Sequence, residues 1–372
     1  MQAMATSTIF ITGGTGLIGS WTTATLTQQG HQVYVLARNS AARKATYLDW
    51  IKRHGGTPER VQLVEGNLNS PALGINQEGL QHLAQCQIVY HMGSSFEWGL
   101  SRQQAHLTTV QGTIELAQQL VKMPDLKQLI HLTGYMLKAP KIWETLQLNA
   151  NTYDYADGLT AAQQDRLYRR FSAYEAAKVV ASFEMSRRAA RHKLPLTNIE
   201  LCTVAGHSQT GEILQPQGFP QLVYGVKNKF MPLIPGTAED WIPLIPLDYL
   251  VQFITGIIHV PHTIGQDYLV LDERTPNFAA LLKLIAEHLD MKPATHHVPK
   301  KWVKLLLNLG LSRISGMSAE TLDFLQPYRF DTQASQKVAA EMGLVMPDIT
   351  DVVKRTVAFL AGNEFAQFHT AS

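Results

Sequence analysis

Short apolar runs alternate with segments of helical period through the first half of the chain. Thr8-Ile9-Phe10-Ile11 reads as a buried strand, and a glycine-rich turn and a helix to about Gln29 follow it, with Gly30 placed to cap the helix C-terminus. His31 to Leu36 is the second predicted strand, and Val61 to Val64, Ile88 to His91 and Leu129 to Leu132 are the next three. Apolar residues at helical spacing predict helices over 41–54 and 107–121, a further helix over 174–191 and a sixth strand over 199–204. Strands alternating with helices in this way bury a parallel sheet between crossover helices.

The texture changes after Gly206. The stretch from Gln215 to Pro246 carries Pro216, Pro220, Pro232, Pro235, Pro243 and Pro246, which excludes a continuous helix or a central strand. Beyond it the pattern is mostly helical, over 279–289, 300–311, 319–324 and 349–361. The expected fold is therefore α/β: a Rossmann-type, doubly wound parallel sheet over residues 1–206, with a smaller, mostly helical C-terminal substrate cap over 207–372. Segments near 242–271 are expected to return to the sheet. The long connection from Lys138 to Phe171 reads as a flap on the substrate side. The basic, amphipathic stretch from Lys300 to Leu309 reads as a cap helix that buries Leu305, Leu306 and Leu309, the alternative being contact with a membrane, a carrier domain or CoA phosphates.

Composition narrows the class. With 372 residues, 45% hydrophobic and 17% charged, the chain is long enough for a large core and too apolar for disorder. A net charge of +2 gives no global field to recruit nucleic acid. Two cysteines, Cys86 and Cys202, make no disulfide framework and suit a reducing compartment. No secretory leader opens the chain, and every apolar run is broken before the ~20 residues a membrane span needs, so a cytoplasmic protein is expected.

Two constellations carry chemistry. Gly13-x-x-Gly16-x-x-Gly19, with Thr15, Leu17 and Ile18 between the glycines, joins a strand to a helix. Such a turn lets the backbone approach a pyrophosphate, which then sits on the unpaired N–H groups of the helix N-terminus. The following strand ends in Arg38, where an acidic residue would accept the ribose 2′-hydroxyl of NAD. An Arg there suits a 2′-phosphate, and Arg43 and Lys44 one helical turn on add charge, so NADP(H) is the expected cofactor. In the second constellation, Tyr174 and Lys178 stand four residues apart on a helix and share a face. A neighbouring ammonium favours the phenolate and brings an otherwise inert phenol towards a useful pKa. Ser172 and Glu175 have capping-box spacing at the start of that helix. The scattered histidines show no metal-ligand spacing, so no metal is assigned.

With these motifs the sequence resembles the extended short-chain dehydrogenase/reductases. The stretches Val33 to Arg38, Glu65 to Gly74, Gln111 to Ala117 and Ile245 to Tyr249 are similar to thioester reductase domains, to which fatty acyl-CoA reductases are related. The resemblance covers about the first 260 residues. It implies hydride transfer from NADPH to a carbonyl, with Tyr174 donating the proton and Lys178 binding the nicotinamide ribose. It implies adenine contacts at Asn67 and Leu68, and backbone passing the cofactor ribose at Gly93 and Ser94. It also implies a hydroxyl at the end of the fifth strand to polarise the substrate carbonyl. That strand reads His131-Leu132-Thr133-Gly134-Tyr135, so Thr133 is the candidate and Gly134 the competing position. Asn67 replaces the acidic residue usual in the family, and Thr109 replaces an Asn that holds a water relay to the lysine.

The resulting expectation is an NADPH-dependent reductase acting on a small-molecule carbonyl, an acyl thioester (CoA- or carrier-bound) or a hydrophobic aldehyde or ketone. The apolar residues Phe219, Leu222, Val223, Tyr224, Phe230, Met231, Leu233, Ile234 and Trp241 are expected to suit an acyl chain. The alternatives are a nucleotide-sugar epimerase or dehydratase, and a non-catalytic NADP-binding regulator.

Overall fold

The computed structural model describes residues 6–97, 99–312 and 318–369. In chain order, β1 (Thr8–Thr12) leads into α1 (Leu17–Gln28), β2 (Gln32–Ala37), α2 (Ser40–Arg53), β3 (Val61–Glu65), α3 (Gln77–Ala84) and β4 (Ile88–His91). Then come α4 (Arg102–Ala105), a π-helical turn (His106–Gln111), α5 (Gly112–Leu120) and β5 (Gln128–Gly134). The segment after β5 holds α6 (Pro140–Leu146) and α7 (Ala161–Arg170), and α8 (Ala173–His192) and β6 (Leu196–Leu201) follow. With Asp267–Val270 at the far edge, the sheet has seven strands in the order Asp267–Val270, β6, β5, β4, β1, β2, β3. The pairs β1–β2, β2–β3, β1–β4 and β4–β5 are parallel. This is the doubly wound architecture that the strand–helix alternation predicts.

Strands buried on both faces explain the unbroken apolar runs: Ile9, Phe10 and Ile11 of β1 are fully buried. Phe10, Leu36, Val64, Val89 and Leu129 from the sheet pack with Leu116, Leu120 and Met185 from α5 and α8, and Cys86 lies among them. Threonines make α1 a poor helix on propensity alone, and packing holds it. Thr22, Thr23 and Thr27 are buried and return their hydroxyls to the carbonyls of Ile18, Gly19 and Thr23 at 2.8, 2.8 and 2.9 Å.

The chain divides into two compact units, residues 1–200 with 251–268, and residues 201–250 with 269–372. In the first, the returning segment is tied in by polar groups: the Tyr90 hydroxyl donates to Ile254 O (2.9 Å) and the Thr197 hydroxyl to Thr263 O (3.0 Å). The predicted sixth strand is broken, because β6 ends at Leu201 and a short β7 (Thr203–Val204) pairs instead with Leu244–Ile245 in the second unit. Trp241 anchors that second unit. It is fully buried, its indole N–H donates to Tyr328 O (2.8 Å), and the Arg329 guanidinium lies 3.9 Å over its ring. Cys202 is also buried.

The helix over Lys300–Leu306 turns the expected way round inside out. Lys300 is held to the buried Asp240 (2.7 Å) and Lys304 to Asp323 (2.9 Å), so its polar side faces the protein. Trp302, Leu305, Leu306 and Leu309 are left 54, 45, 54 and 74% exposed. Periodicity identifies an apolar stripe but not the direction it faces. Here two buried-side carboxylates decide that direction.

The connection from Lys138 to Phe171 is a packed element. Trp143, Tyr153 and Tyr155 set their rings 5.6, 5.3 and 5.3 Å from Phe183 of α8. Arg102 of α4 pairs with Asp165 of α7 (2.6 Å) and lies 4.5 Å over the Tyr168 ring. The aromatic contacts clamp the connection to the helix that carries Tyr174.

Candidate functional site

The turn after β1 is built on backbone proximity. Gly13 has φ +73°, and a Cβ there would stand 2.6 Å from Gly93 N, at the end of β4. A Cβ on Gly19 would stand 2.6 Å from Gly14 Cα and nearer still to Gly13 O. Gly16 N donates to Gly13 O (3.1 Å) and closes the turn, and the Tyr47 hydroxyl of α2 donates to Gly14 O (2.7 Å) and holds it from outside. Thr15 and Gly16 are exposed, Leu17 and Ile18 half-buried, and no acidic side chain stands in the first turn of α1. The open first-turn amides therefore keep their affinity for an anion. A dinucleotide fits this cradle: close glycine backbone, a helix N-terminus and no opposing charge.

Next to it lies the end of β2. Arg38 and Arg43 are exposed there. Asn39 takes a left-handed conformation (φ 54°, ψ 45°), and the N–H groups of Asn39 and Ser40 both donate to the Glu65 carboxylate, at 3.0 and 2.6 Å. The Ser40 hydroxyl and these two amides hold Glu65 below the usual carboxylate range. Sequence reading did not single out Glu65, since an exposed acid at a strand end carries no spacing signal.

Asn67 and Leu68 follow β3 on a strained loop. Asn67 Oδ1 accepts from Asn69 N (3.0 Å), and Asn67 N donates to Leu73 O (2.6 Å). Ala72 and Leu73 sit at positive φ (48° and 61°), and the fully buried Leu73 side chain and the bond from Ala72 N to Glu115 (2.9 Å) hold them there. Leu68 packs where a Cβ on Gly93 would fall and 3.0 Å from where one on Gly112 would fall. The loop thus brings Leu68 against Gly93, beside Gly13; Ser94 follows, half-buried.

The helix α8 starts on its predicted cap, with Ser172 Oγ accepting from Glu175 N (3.2 Å). Tyr174 and Lys178 lie one turn apart on it, both half-buried. Lys178 Nζ donates to Leu132 O of β5 at 2.9 Å, which fixes the ammonium against the sheet. Burial lowers Lys178 to about 8. Burial, aided by the Glu175 carboxylate, pushes the Tyr174 phenol up instead of down. The shift runs opposite to the expected tuning by Lys178, because burial dominates it, and Tyr174 is held as a phenol at neutral pH. The ring of Phe96, from the loop after β4, lies 5.1 Å from that of Tyr174.

Behind the lysine, His91 and His131 stack at 5.1 Å. Burial, then Lys178, lowers His91 to about 3, and burial, His91 and Lys178 also lower His131. The Thr113 hydroxyl gives its proton to Thr109 O in the π-helical turn (2.6 Å). His91 Nε2 therefore carries a hydrogen and donates it to Thr113 (2.8 Å), and His91 Nδ1 accepts from the Thr12 hydroxyl (2.7 Å). A neutral histidine thus joins the end of β1 to the turn that holds Thr109.

The buried Thr133 hydroxyl is directed to Ile199 O of β6, at 3.5 Å. Gly134 carries no side chain, and a Cβ there would stand 2.8 Å from the Met136 methyl group and closer to its sulfur. Of the apolar residues assigned to an acyl chain, Phe219, Leu222, Val223, Ile234 and Trp241 are buried in the core of the second unit. Tyr224 is stacked 4.3 Å from Phe368. Those side chains hold their own unit together, whereas Phe96 stands beside the phenol.

The family described as male sterility protein, an NAD-binding one, matches residues 11–254, about two thirds of the chain. A cinnamoyl-CoA reductase of Medicago truncatula is 27% identical over 125 residues, 33% of this chain and 36% of that protein. An epimerase family protein of Bacillus subtilis is 44% identical over 55 residues, 14% of this chain and 18% of its own. The chain thus spans well under half the length of either relative. The crystal structure of the terminal R domain from the myxalamid PKS-NRPS biosynthetic pathway superposes with a TM-score of 0.76 at 20% identity, covering 97% of this chain and 92% of that one. No helix among the described residues is long and apolar enough to cross a membrane. The chain belongs to the NAD-binding family described as male sterility protein.

Proposed function

We propose that the protein is an NADPH-dependent reductase of acyl thioesters or hydrophobic aldehydes, with residues 1–200 and 251–268 binding cofactor and 201–250 with 269–372 serving as the substrate cap. The observation that carries the reading is the α8 pair: a phenol kept protonated, a lysine fixed to Leu132 O one turn below it, and an aromatic ring against the phenol. NADPH, when bound, supplies the hydride. Gly13, Thr15, Gly16, Leu17, Ile18 and Gly19 bind its pyrophosphate, Arg38 and Arg43 its 2′-phosphate, and Asn67, Leu68, Gly93 and Ser94 the adenine and ribose.

Tyr174 then gives its proton to the carbonyl oxygen as that oxygen gains charge. Lys178, an ammonium at neutral pH, stabilises the phenolate left behind and holds the nicotinamide ribose. From a thioester the product is a hemithioacetal. Its C–S bond breaks, the hydroxyl proton passes to the thiol, and an aldehyde is released. Phe96 favours an apolar group beside the reacting carbon and offers nothing to a sugar diphosphate. Thr133, turned to Ile199 O, polarises the carbonyl only after its hydroxyl rotates, so the more electrophilic aldehyde reacts faster than the thioester.

A panel of acyl-CoAs, hydrophobic aldehydes and nucleotide sugars, followed by NADPH consumption and by thermal shift, tests this. Turnover of the first two groups, aldehydes faster, is expected. Stabilisation by nucleotide sugars alone, with no response to acyl ligands, overturns it in favour of an epimerase.

A further inference from the structure

We propose that Glu65 is a specificity-determining residue of the dinucleotide site: its carboxylate takes up the amide donors at the end of β2 and so limits the preference for NADPH that Arg38 creates. The inference rests on the cofactor reading above and deepens it.

Three features place Glu65 there. The parallel register sets Ala37 opposite Glu65, so β2 and β3 end side by side and the carboxylate emerges where a ribose 2′ substituent is read. The left-handed Asn39 turns two successive N–H groups the same way, and each carboxylate oxygen takes one of them. Consecutive amides aimed at one point form an anion-binding concavity, and phosphate oxygens are the usual guests of such donors. Finally, Glu65 is exposed, so it is free to move aside while its charge stays at the rim.

The part Glu65 plays in the fold is separable from this one. The Asn39 side chain makes no cap bond to α2, and Glu65 supplies one from across the sheet. Loss of that cap weakens α2 and the binding of any dinucleotide alike. Loss of the charge acts on one cofactor only. A 2′-phosphate beside Glu65 meets a like charge and finds the amides occupied, whereas the 2′-hydroxyl of NADH is neutral and can donate to the carboxylate. Arg38 and Glu65 therefore oppose each other, and the ratio of the two affinities reports on both.

The test is a fluorescence titration of the full chain with NADPH and with NADH, read as the ratio of Kd for NADH to Kd for NADPH. Glu65→Gln keeps an acceptor and removes the charge, and should raise the ratio about tenfold, mostly by tighter NADPH binding, with the gain shrinking at high salt. Glu65→Asp keeps the charge and should leave the ratio near wild type. Arg38→Ala should lower it. An unchanged or lowered ratio in Glu65→Gln, in a protein where Arg38→Ala does move it, overturns the role of Glu65 and leaves the cofactor reading intact. If neither the wild type nor the variants bind either dinucleotide, the cofactor reading falls and this one with it.

Discussion

At the end of β1 and at the end of β5 the chain passes a glycine, and the surroundings of the two differ in kind. Gly13 and Gly19 press on backbone atoms: Gly93 N, Gly14 Cα and Gly13 O. Gly134 presses on the tip of a methionine side chain. Backbone neighbours cannot rotate away, so the first turn admits one geometry, as the proposed role of holding an invariant pyrophosphate requires. A thioether on rotatable bonds can yield, so the end of β5, the proposed substrate side, is adjustable. On the proposed function, the contrast is between a cofactor side specified by backbone and a substrate side specified by side chains.

The sharpest way to break the comparison is Gly19→Ala. Its Cβ has no room against Gly13 O and Gly14 Cα, so titration should show dinucleotide affinity reduced by ~100-fold or more, with overpacking costing about 1–3 kcal/mol of stability. Wild-type binding by this variant would mean the turn is looser than its contacts. Tyr174→Phe comes next. It keeps the ring and its packing on Phe96 and removes only the proton, so kcat should fall ~10²-fold while cofactor Kd holds. Full turnover in a stopped-flow assay would move the proton donor elsewhere. Arg38→Ala should cost NADPH at least about tenfold in affinity and NADH little, since a charge-assisted contact contributes ~1.5–3 kcal/mol. Equal affinities before mutation would remove the basis for NADP preference. The smallest effect is expected at the adjustable end. Gly134→Ser should fold, with Met136 giving way, and raise the thioester rate relative to the aldehyde rate by a few-fold, because an unrehearsed hydroxyl is worth less than a positioned one. A variant that fails to fold would show that β5 is as rigid as β1.

The same division governs what could be read from the sequence. The β1 turn, Arg38 at the strand end and the i,i+4 pair of Tyr174 and Lys178 were legible, because each follows from local spacing that backbone geometry enforces. Glu65 and Phe96 were not. Glu65 acts on amides that precede it by a whole helix and a strand, and Phe96 lies on a loop without period. The helix over Lys300–Leu306 was placed correctly and faced wrongly, since its orientation depends on Asp240 and Asp323, distant in sequence. The expected downward shift of Tyr174 failed for a related reason: spacing gives the nearness of the ammonium but not the depth at which both groups are buried.

Both cysteines are buried free thiols, with burial pushing Cys86 up to about 12 and Cys202 well above its ordinary value. Only a thiolate attacks a disulfide reagent at speed, so in the folded protein neither competes for a chromogenic thiol probe at neutral pH. Reduction of a thioester liberates a small-molecule thiol, whereas reduction of an aldehyde liberates none. For the proposed reaction, a single cuvette holding the probe therefore distinguishes the two carbonyls: colour appearing in step with NADPH loss marks the thioester, and NADPH loss without colour marks the aldehyde.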